Sequence, residues 1–407
     1  MRLGNGQPAD SRVKRAQVAV RLLGPLGMVF VVFALVASNC ENPKEEPTAF
    51  APSPPPQFLA RKTNSDAEAI EYYQTIGVID PNDPAKPGPK GTLSQWKAAN
   101  GFTAGVSDVT ATYFNEVDLR FGREMHCIGN GNKIACYVTN YGQKPTGGPG
   151  PGGPASLALQ DAVTRANPVA TVAMEYDPAA GTNSVQFYVY NAAGDFAIKA
   201  ELDTQGFKAV PGICQNCHGG TYNSQTNLVA NASFLPFDVF SFLYSGQPGY
   251  SQIEQEESFR GLNLLVKMTQ PSQAIRDLID GMYPGGVAQP GSVASSNYVP
   301  PGWIVVDDPH TSDVNEANAA QVIYNTVVRP SCRTCHIAQN PALDWTSYQQ
   351  FKNFAAAIKS AVCISHTMPQ AEVTWLKFWK TRPIVAHGVL KDYFFPSEAA
   401  GDCGRAQ

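Results

Sequence analysis

The chain has 407 residues, 43% of them hydrophobic and 16% charged, and a formal net charge of −4. That length allows two or three domains of ordinary size, and the mildly acidic balance argues against a nucleic-acid partner, which wants a basic surface. With 35 Gly and 32 Pro, long irregular loops are expected.

Residues 1–40 read as an export signal. Arg12, Lys14, Arg15 and Arg21 form its positive region, and residues 22–37 its apolar region, broken by Gly24, Pro25 and Gly27. That run is short for a membrane span, which needs about 20 apolar residues. Cys40 follows Ala37, Ser38 and Asn39. The arrangement resembles a bacterial lipoprotein cleavage site, where the Cys is lipidated and becomes the mature N-terminus. It departs from that pattern at Ala37, where Leu is usual, and at Asn39, where a small residue is usual. Cleavage by an ordinary signal peptidase after Ala37 or Ser38, or retention as an uncleaved anchor, are the competing readings. The odd cysteine count favours lipidation. Residues 41–60 form a tether crowded with Pro43, Pro47, Pro52, Pro54, Pro55 and Pro56. Such a stretch favours extended conformations and spaces a domain from its anchor.

Residues 61–205 read as a β-rich domain. A short helix is expected over residues 67–76. Residues 125–128 and 133–138 read as strands around Gly129-Asn130-Gly131-Asn132, a strong turn signal. Cys127 and Cys136 lie on these strands, and a disulfide between them would staple the hairpin. Residues 143–155 form a Gly/Pro loop. Val185, Phe187 and Val189 alternate with Gln186, Tyr188 and Tyr190. A similar alternation over residues 196–203 predicts a second hairpin with one buried face. The segment holds no nucleotide loop and no nucleophile elbow.

The first motif follows: Cys214-Gln215-Asn216-Cys217-His218. This is C-x-x-C-H, the attachment pattern for a c-type haem. Two thiols three residues apart can each form a thioether to a haem vinyl group, and the adjacent imidazole can ligate the iron. Ser251 with Glu254 forms a capping box for a helix burying Phe259, Leu262 and Val266, stopped by Pro271. Residues 272–280 predict a further helix with Ile275, Leu278 and Ile279 inward and Gly281 as its stop. Residues 283–303 read as a Gly/Pro-rich link.

The same pattern recurs at Cys332-Arg333-Thr334-Cys335-His336. Before it, Asp313 and Glu316 cap a helix carrying Ala320, Ile323 and Val327, and Pro330 ends that helix. After it, Ser347 and Gln350 cap a helix with Phe351, Phe354, Ala355, Ile358 and Val362 inward. Thr367-Met368-Pro369 comes next, then a last helix with Val373, Leu376 and Trp379. Helix, C-R-T-C-H, helix, Met-Pro, helix is an order that resembles class I c-type cytochromes over residues 312–385. That resemblance implies His336 as proximal and Met368 as distal ligand of a second haem. The gap from His336 to Met368 is short for the family, Cys363 is an addition, and His366 competes as a ligand.

Two copies, each ending in His, in a chain with an export signal point to two covalently bound haem c groups. The competing readings are a zinc site pooling the four motif cysteines and a dithiol motif; zinc leaves the repeated His unexplained. Of the nine cysteines, Cys127, Cys136, Cys363 and Cys403 remain for two disulfides, which suits an oxidising compartment. Local distance favours Cys127 with Cys136 and Cys363 with Cys403. The first haem has no Met-Pro of its own. Its distal candidates are His126, Met125, Met268, Met282 and His310, with His126 ranked first and Met282 second. Met268 reads as core and His387 as surface. Trp345, Trp375 and Trp379 read as haem-pocket packing.

The expected architecture is α+β: a β-rich N-terminal domain, then two mainly helical cytochrome c-like units over residues 206–305 and 306–407. The expected function is electron relay in the bacterial cell envelope, at the periplasm or outer membrane, with redox partner proteins and a lipid anchor. The alternative is a di-haem peroxidase or oxygenase, in which an open first iron is served by the second haem. Bacterial di-haem cytochrome c peroxidases are generally similar in carrying two such motifs. The β-rich part is foreign to their plan, and their peroxide-handling residues find no match in this sequence.

Overall fold

A computed structural model describes residues 57–103, 105–305, 316–380 and 386–395. The export signal, Cys40, His310, Asp313 and Cys403 lie outside the described residues. The described chain is α+β, and an antiparallel sheet of six strands organises it.

The expected first hairpin forms the middle of that sheet. Within this sheet β1 is Val109–Asn115, β2 is Gly122–Asn130 and β3 is Lys133–Tyr141. Asn130 pairs with Lys133, so only Gly131 and Asn132 make the turn. Gly131 has φ +62°, the left-handed conformation that a two-residue hairpin with Gly in first place requires. Cys127 and Cys136 face each other in register and are disulfide-bonded, with Cα atoms 4.1 Å apart. Cys363 is also disulfide-bonded.

Strands β4, Pro168–Tyr176, and β5, Val185–Asn191, extend the sheet on one side, and the short β6, Phe242–Leu243, returns to β1 on the other. The strand order is β6-β1-β2-β3-β4-β5. Here the second expected hairpin is corrected. The partner of β5 is β4, and residues 196–202 meet β5 only at a Tyr190–Phe196 bridge and an Ala197 N–H to Val189 carbonyl bond. The reason is that the free edge of β5 is already taken. Helix α1, Asp66–Thr75, lays Tyr72 and Tyr73 along it. Their hydroxyls accept the Phe187 and Val189 N–H groups at 2.7 and 2.8 Å. An edge strand whose donors are satisfied by side chains offers no template for another strand.

Helix α2, Leu93–Ala99, buries Trp96 against Phe102 and the edge of Tyr137. Helix α3 is Ala155–Thr164, and α4, Gly212–His218, carries the first motif. The Ser251–Glu254 bonds form, but on the turn before α5, Glu256–Met268. Gln255, just ahead of α5, bonds the Thr112 N–H and carbonyl at 2.6 and 2.9 Å, and so ties α5 to β1. Helix α6, Gln273–Met282, starts at a Ser272 cap and buries Ile275, Leu278 and Ile279 as expected. Met268 is 44% exposed and does not join the core.

One apolar core runs from the sheet through α1, α4, α5 and α6 to Ile337 and Ala338. A second is built by α7, Glu316–Ile323, and by three later helices, α9, Tyr348–Asn353, α10, Glu372–Lys380, and α11, Ala386–Phe394; between α7 and α9, the short α8, Arg333–His336, carries the second motif. Trp303, Trp375 and Trp379 are fully buried there. Phe58, from the far N-terminal side, packs on Trp375. Helix α10 is not the last. In α11, His387 is buried and stacks on Trp379 at 4.9 Å, so it is not a surface residue. Among the described residues, no helix is long and apolar enough to cross a membrane.

Candidate functional site

The two motif helices pack on each other. The Sγ atoms of Cys217, in α4, and Cys335, in α8, are 3.8 Å apart. Gly219 ends α4 with φ +69°, and a Cβ there would fall 1.9 Å from the Ala338 carbonyl oxygen. Only glycine permits that approach and that backbone conformation together. The Gln339 side chain donates to the Asn216 carbonyl at 3.3 Å, and Lys62 Nζ bridges the Gly220 carbonyl and Gln339 at 2.7 and 3.3 Å. Asn216, inside the first motif, donates to the Leu59 carbonyl at 2.8 Å and accepts from the Lys62 N–H. The N-terminal strap is thereby clamped across the junction.

Both imidazoles are held the same way. His218 Nδ1 lies 2.9 Å from the Ser233 carbonyl and His336 Nδ1 lies 3.0 Å from the Leu343 carbonyl. A carbonyl only accepts, so each Nδ1 carries the proton and each Nε2 keeps its lone pair. Burial pulls both imidazoles down to about 4, so both are neutral. Burial pushes the Cys214 and Cys332 thiols up to about 12, and the Cys335 contact together with burial raises Cys217.

Each motif opens on its own cavity. The first encloses about 1410 Å³ of empty space, its open mouth included, between α4 and one face of the sheet. Cys214, Cys217 and His218 stand on one wall, and Tyr113, Met125, Val138, Met174 and Phe187 project from the strands. The second encloses about 1380 Å³ and is lined by Cys332, Cys335, His336, Trp345, Phe354 and Met368. The motifs also cross over. Arg333, Thr334 and Ile337 line the first cavity, Asn216 lines the second, and Leu59 lines both.

Two guanidinium groups face the first cavity. Arg123 Nη2 is 3.1 Å from both carboxylate oxygens of Asp118, and Arg333 bonds Asp238 and the Tyr324 hydroxyl. Arg123 Nε is a buried donor with no acceptor on the protein. An apolar cavity, paired thiols, a neutral imidazole with a free Nε2 and a spare buried N–H donor together suit a planar, iron-bearing macrocycle with acidic substituents. They suit zinc less well. Among the described residues no group of three or more His, Cys, Asp or Glu is placed to hold a metal ion, so the four thiols do not converge on one tetrahedral centre.

The candidate ligands separate by strand face. His126 points away from the first cavity. Its Nδ1 is 2.6 Å from Asp108, its Nε2 is 3.2 Å from Glu124, and its ring stacks on Tyr137 at 4.5 Å. Met282 is 2% exposed in the core and does not reach the cavity. Met125, one residue before His126, does reach it, as does Met174. In the second cavity Met368 is on the wall and His366 is not. The His366 ring sits edge-on to Trp379 at 5.1 Å. Trp345 lines the cavity 5.0 Å from the His336 ring, whereas Trp375 and Trp379 lie behind it in the second core. Cys214, Cys217 and His218 are thus brought together, as are Cys332, Cys335, His336 and Met368. The residues missed from sequence are Arg123, Arg333 and Met174. Strand alternation was the available signal for the sheet residues.

The chain matches no protein-family model, no curated protein and no solved structure.

Proposed function

We propose that this chain is a di-haem c-type cytochrome that relays electrons in the bacterial cell envelope. The 3.8 Å contact between Cys217 and Cys335 carries the reading. Each sulfur belongs to a different attachment motif. Groups tethered through these two sulfurs come into van der Waals proximity, and electron exchange falls steeply with distance.

Cys214 and Cys217 would tether the first haem, with His218 on its iron. Cys332 and Cys335 would tether the second, with His336 and Met368 as its axial pair, in the manner of class I c-type cytochromes. Haem supplies a one-electron iron couple whose potential is set by its ligands and surroundings. The chain does the rest. The Ser233 and Leu343 carbonyls fix each imidazole's tautomer and direction, as outer partners of metal-bound histidines do. The apolar walls would keep water from the bound group, and Arg123 and Arg333, which line the first cavity, would meet its acidic substituents. The export signal, Cys40 and the Pro-rich tether support a lipid-anchored protein at the periplasm or outer membrane, facing redox partner proteins.

The test is to produce the full chain in a bacterium that matures c-type haems. Two haems per chain that survive denaturing electrophoresis are expected, falling to one in C214A/C217A and to one in C332A/C335A. A protein that carries zinc and no covalent haem would overturn the proposal. A first iron that is high-spin at rest and turns over peroxide would move it to the peroxidase or oxygenase reading.

A further inference from the structure

We infer that Met125 is the sixth ligand of the first iron, so that a strand of the sheet, ahead of the motif in sequence, closes the haem from the face opposite His218. The inference rests on the haem reading above.

Alternation along β2 gives the first reason. Successive side chains on a strand face opposite ways. Arg123, Met125 and Cys127 share one face, and Arg123 and Met125 line the cavity. Glu124 and His126 share the other, where both ring nitrogens of His126 are taken by carboxylates. That leaves His126 neither the direction nor the lone pair to ligate.

Position across the sheet gives the second. Among the described residues, two thioethers reach the cavity, Met125 and Met174. The His218 ring lies 5.5 Å from the ring of Phe187, on β5. Met174, on β4, is directly paired with Phe187. It therefore stands on the same side of the cavity as the imidazole. Met125, on β2, is three strand spacings from β5, about 14 Å. An iron lies between its axial ligands, so the distal donor has to come from across the cavity. Only Met125 does so, with a long, adaptable side chain to bridge the gap.

Local construction gives the third. Met125 is held at both neighbouring positions of its own face. At one, Arg123 is clamped to Asp118; at the other, Cys127 is bonded to Cys136. Its neighbour across β1 is Ala111, whose small side chain leaves room for the thioether to lean. A ligand needs this kind of support to hold its geometry. With Met125 in place both irons carry one imidazole and one thioether, and neither has an open position.

The test uses the matured full chain and three variants, Met125→Leu, Met125→His and Met174→Leu. Haem is counted first, then the ferric spin state by electron paramagnetic resonance, the thioether-to-ferric charge-transfer band, and the two midpoint potentials. Wild type should show two low-spin irons. Met125→Leu, a swap of similar volume, should keep two haems, lose half of the band, gain one high-spin signal and lower one potential. Met125→His should regain a low-spin iron without regaining the band. Met174→Leu should match wild type. A wild-type spectrum in Met125→Leu, a halved band in Met174→Leu, or one high-spin iron in wild type would overturn the assignment. Should Met125→Leu fail to mature, Met125→His decides: a band of wild-type strength there also overturns it. A wild-type chain with no covalent haem sinks the haem reading itself, and is told apart from these by the haem count.

Discussion

Cys217 and Cys335 stand 118 positions apart in the chain, yet their Sγ atoms meet at 3.8 Å. The contact makes the two motifs one device. Arg333, an intervening residue of the second motif, faces the first cavity, while Asn216 of the first faces the second. On the di-haem reading proposed above, a charge gained on one haem would be felt at the other through a short, mostly apolar path. We expect the matured protein to titrate in two steps that are not the sum of those of C214A/C217A and C332A/C335A. The displacement should be on the order of 1 kcal/mol, as for charges interacting across a protein interior. Potentiometry on the three proteins measures it, and strictly additive curves would show the haems to be independent.

The junction depends on one glycine. A Cβ at Gly219 would enter the Ala338 carbonyl, and its φ of +69° is unfavourable for any L side chain. Gly219→Ala should cost about 2 kcal/mol or more and push the motif helices apart. A lowered denaturation midpoint together with a smaller displacement between the redox steps is the expected pair of results. Loss of stability with undiminished interaction would mean that the residue serves the fold alone.

The Cys127–Cys136 disulfide closes a loop of sequence separation 9. Loop-closure entropy gives it about 2.5 kcal/mol of stabilisation. It also pins the strand that carries Met125. C127A/C136A should lose roughly that stability in urea titration, and its first haem should show a broadened mixture of spin states while the second stays unchanged. An unbroadened first haem would mean that the Arg123 clamp alone fixes the strand.

The hairpin, the disulfide and both motif triplets were legible in the sequence because each is local: a turn signal, two cysteines in register, a fixed spacing. Placement of the distal side was not. His126 drew attention as a ligand type, but its alternation with Met125 decides which of them faces the cavity, and that depends on where α4 docks. The pairing of β5 with β4 was hidden for a related reason. The alternation of residues 185–190 marks a strand without naming its partner, and the α1 tyrosines that exclude residues 196–202 from its edge lie more than 100 residues earlier. The meeting of α4 with α8 rests on the Gly219 approach to Ala338, which no spacing announces.

The outer face of β2 predicts a pH dependence. Burial would raise the Glu124 carboxyl, but hydrogen bonds from His126 and Arg165 outweigh it and hold the group at about 2. Arg165 Nε is 2.8 Å away, the Tyr141 hydroxyl donates at 3.2 Å, and Asp108 and Lys97 complete the charged surroundings. A folded value below the unfolded one means that the unfolded chain binds more protons in the interval between them. The stabilisation is thus complete above the ordinary carboxylate value of 4.5 and is lost as pH falls towards 2. Glu124→Gln should flatten the fall of the urea midpoint between those limits while matching wild type at its lower end. Parallel curves for the two proteins would leave the acid sensitivity to other carboxylates.

For the second haem proposed above, the competing distal ligands are Met368 and His366, two residues apart. Met368 is on the cavity wall with His336. His366 has φ +52°, its carbonyl accepts from Trp375 Nε1 at 3.3 Å, and its ring rests on Trp379. Turning that ring into the cavity would break its contact with Trp379. Thioether with imidazole raises the potential of a c-type haem, so the two assignments differ in more than geometry. Met368→Ala should leave both haems attached, yield one high-spin ferric signal and lower one midpoint potential. His366→Ala should keep both irons low-spin and cost only the packing against Trp379. The reverse pattern, with Met368→Ala low-spin and His366→Ala high-spin, would transfer the ligand role to the histidine and require the segment from 364 to 369 to turn over when haem is attached.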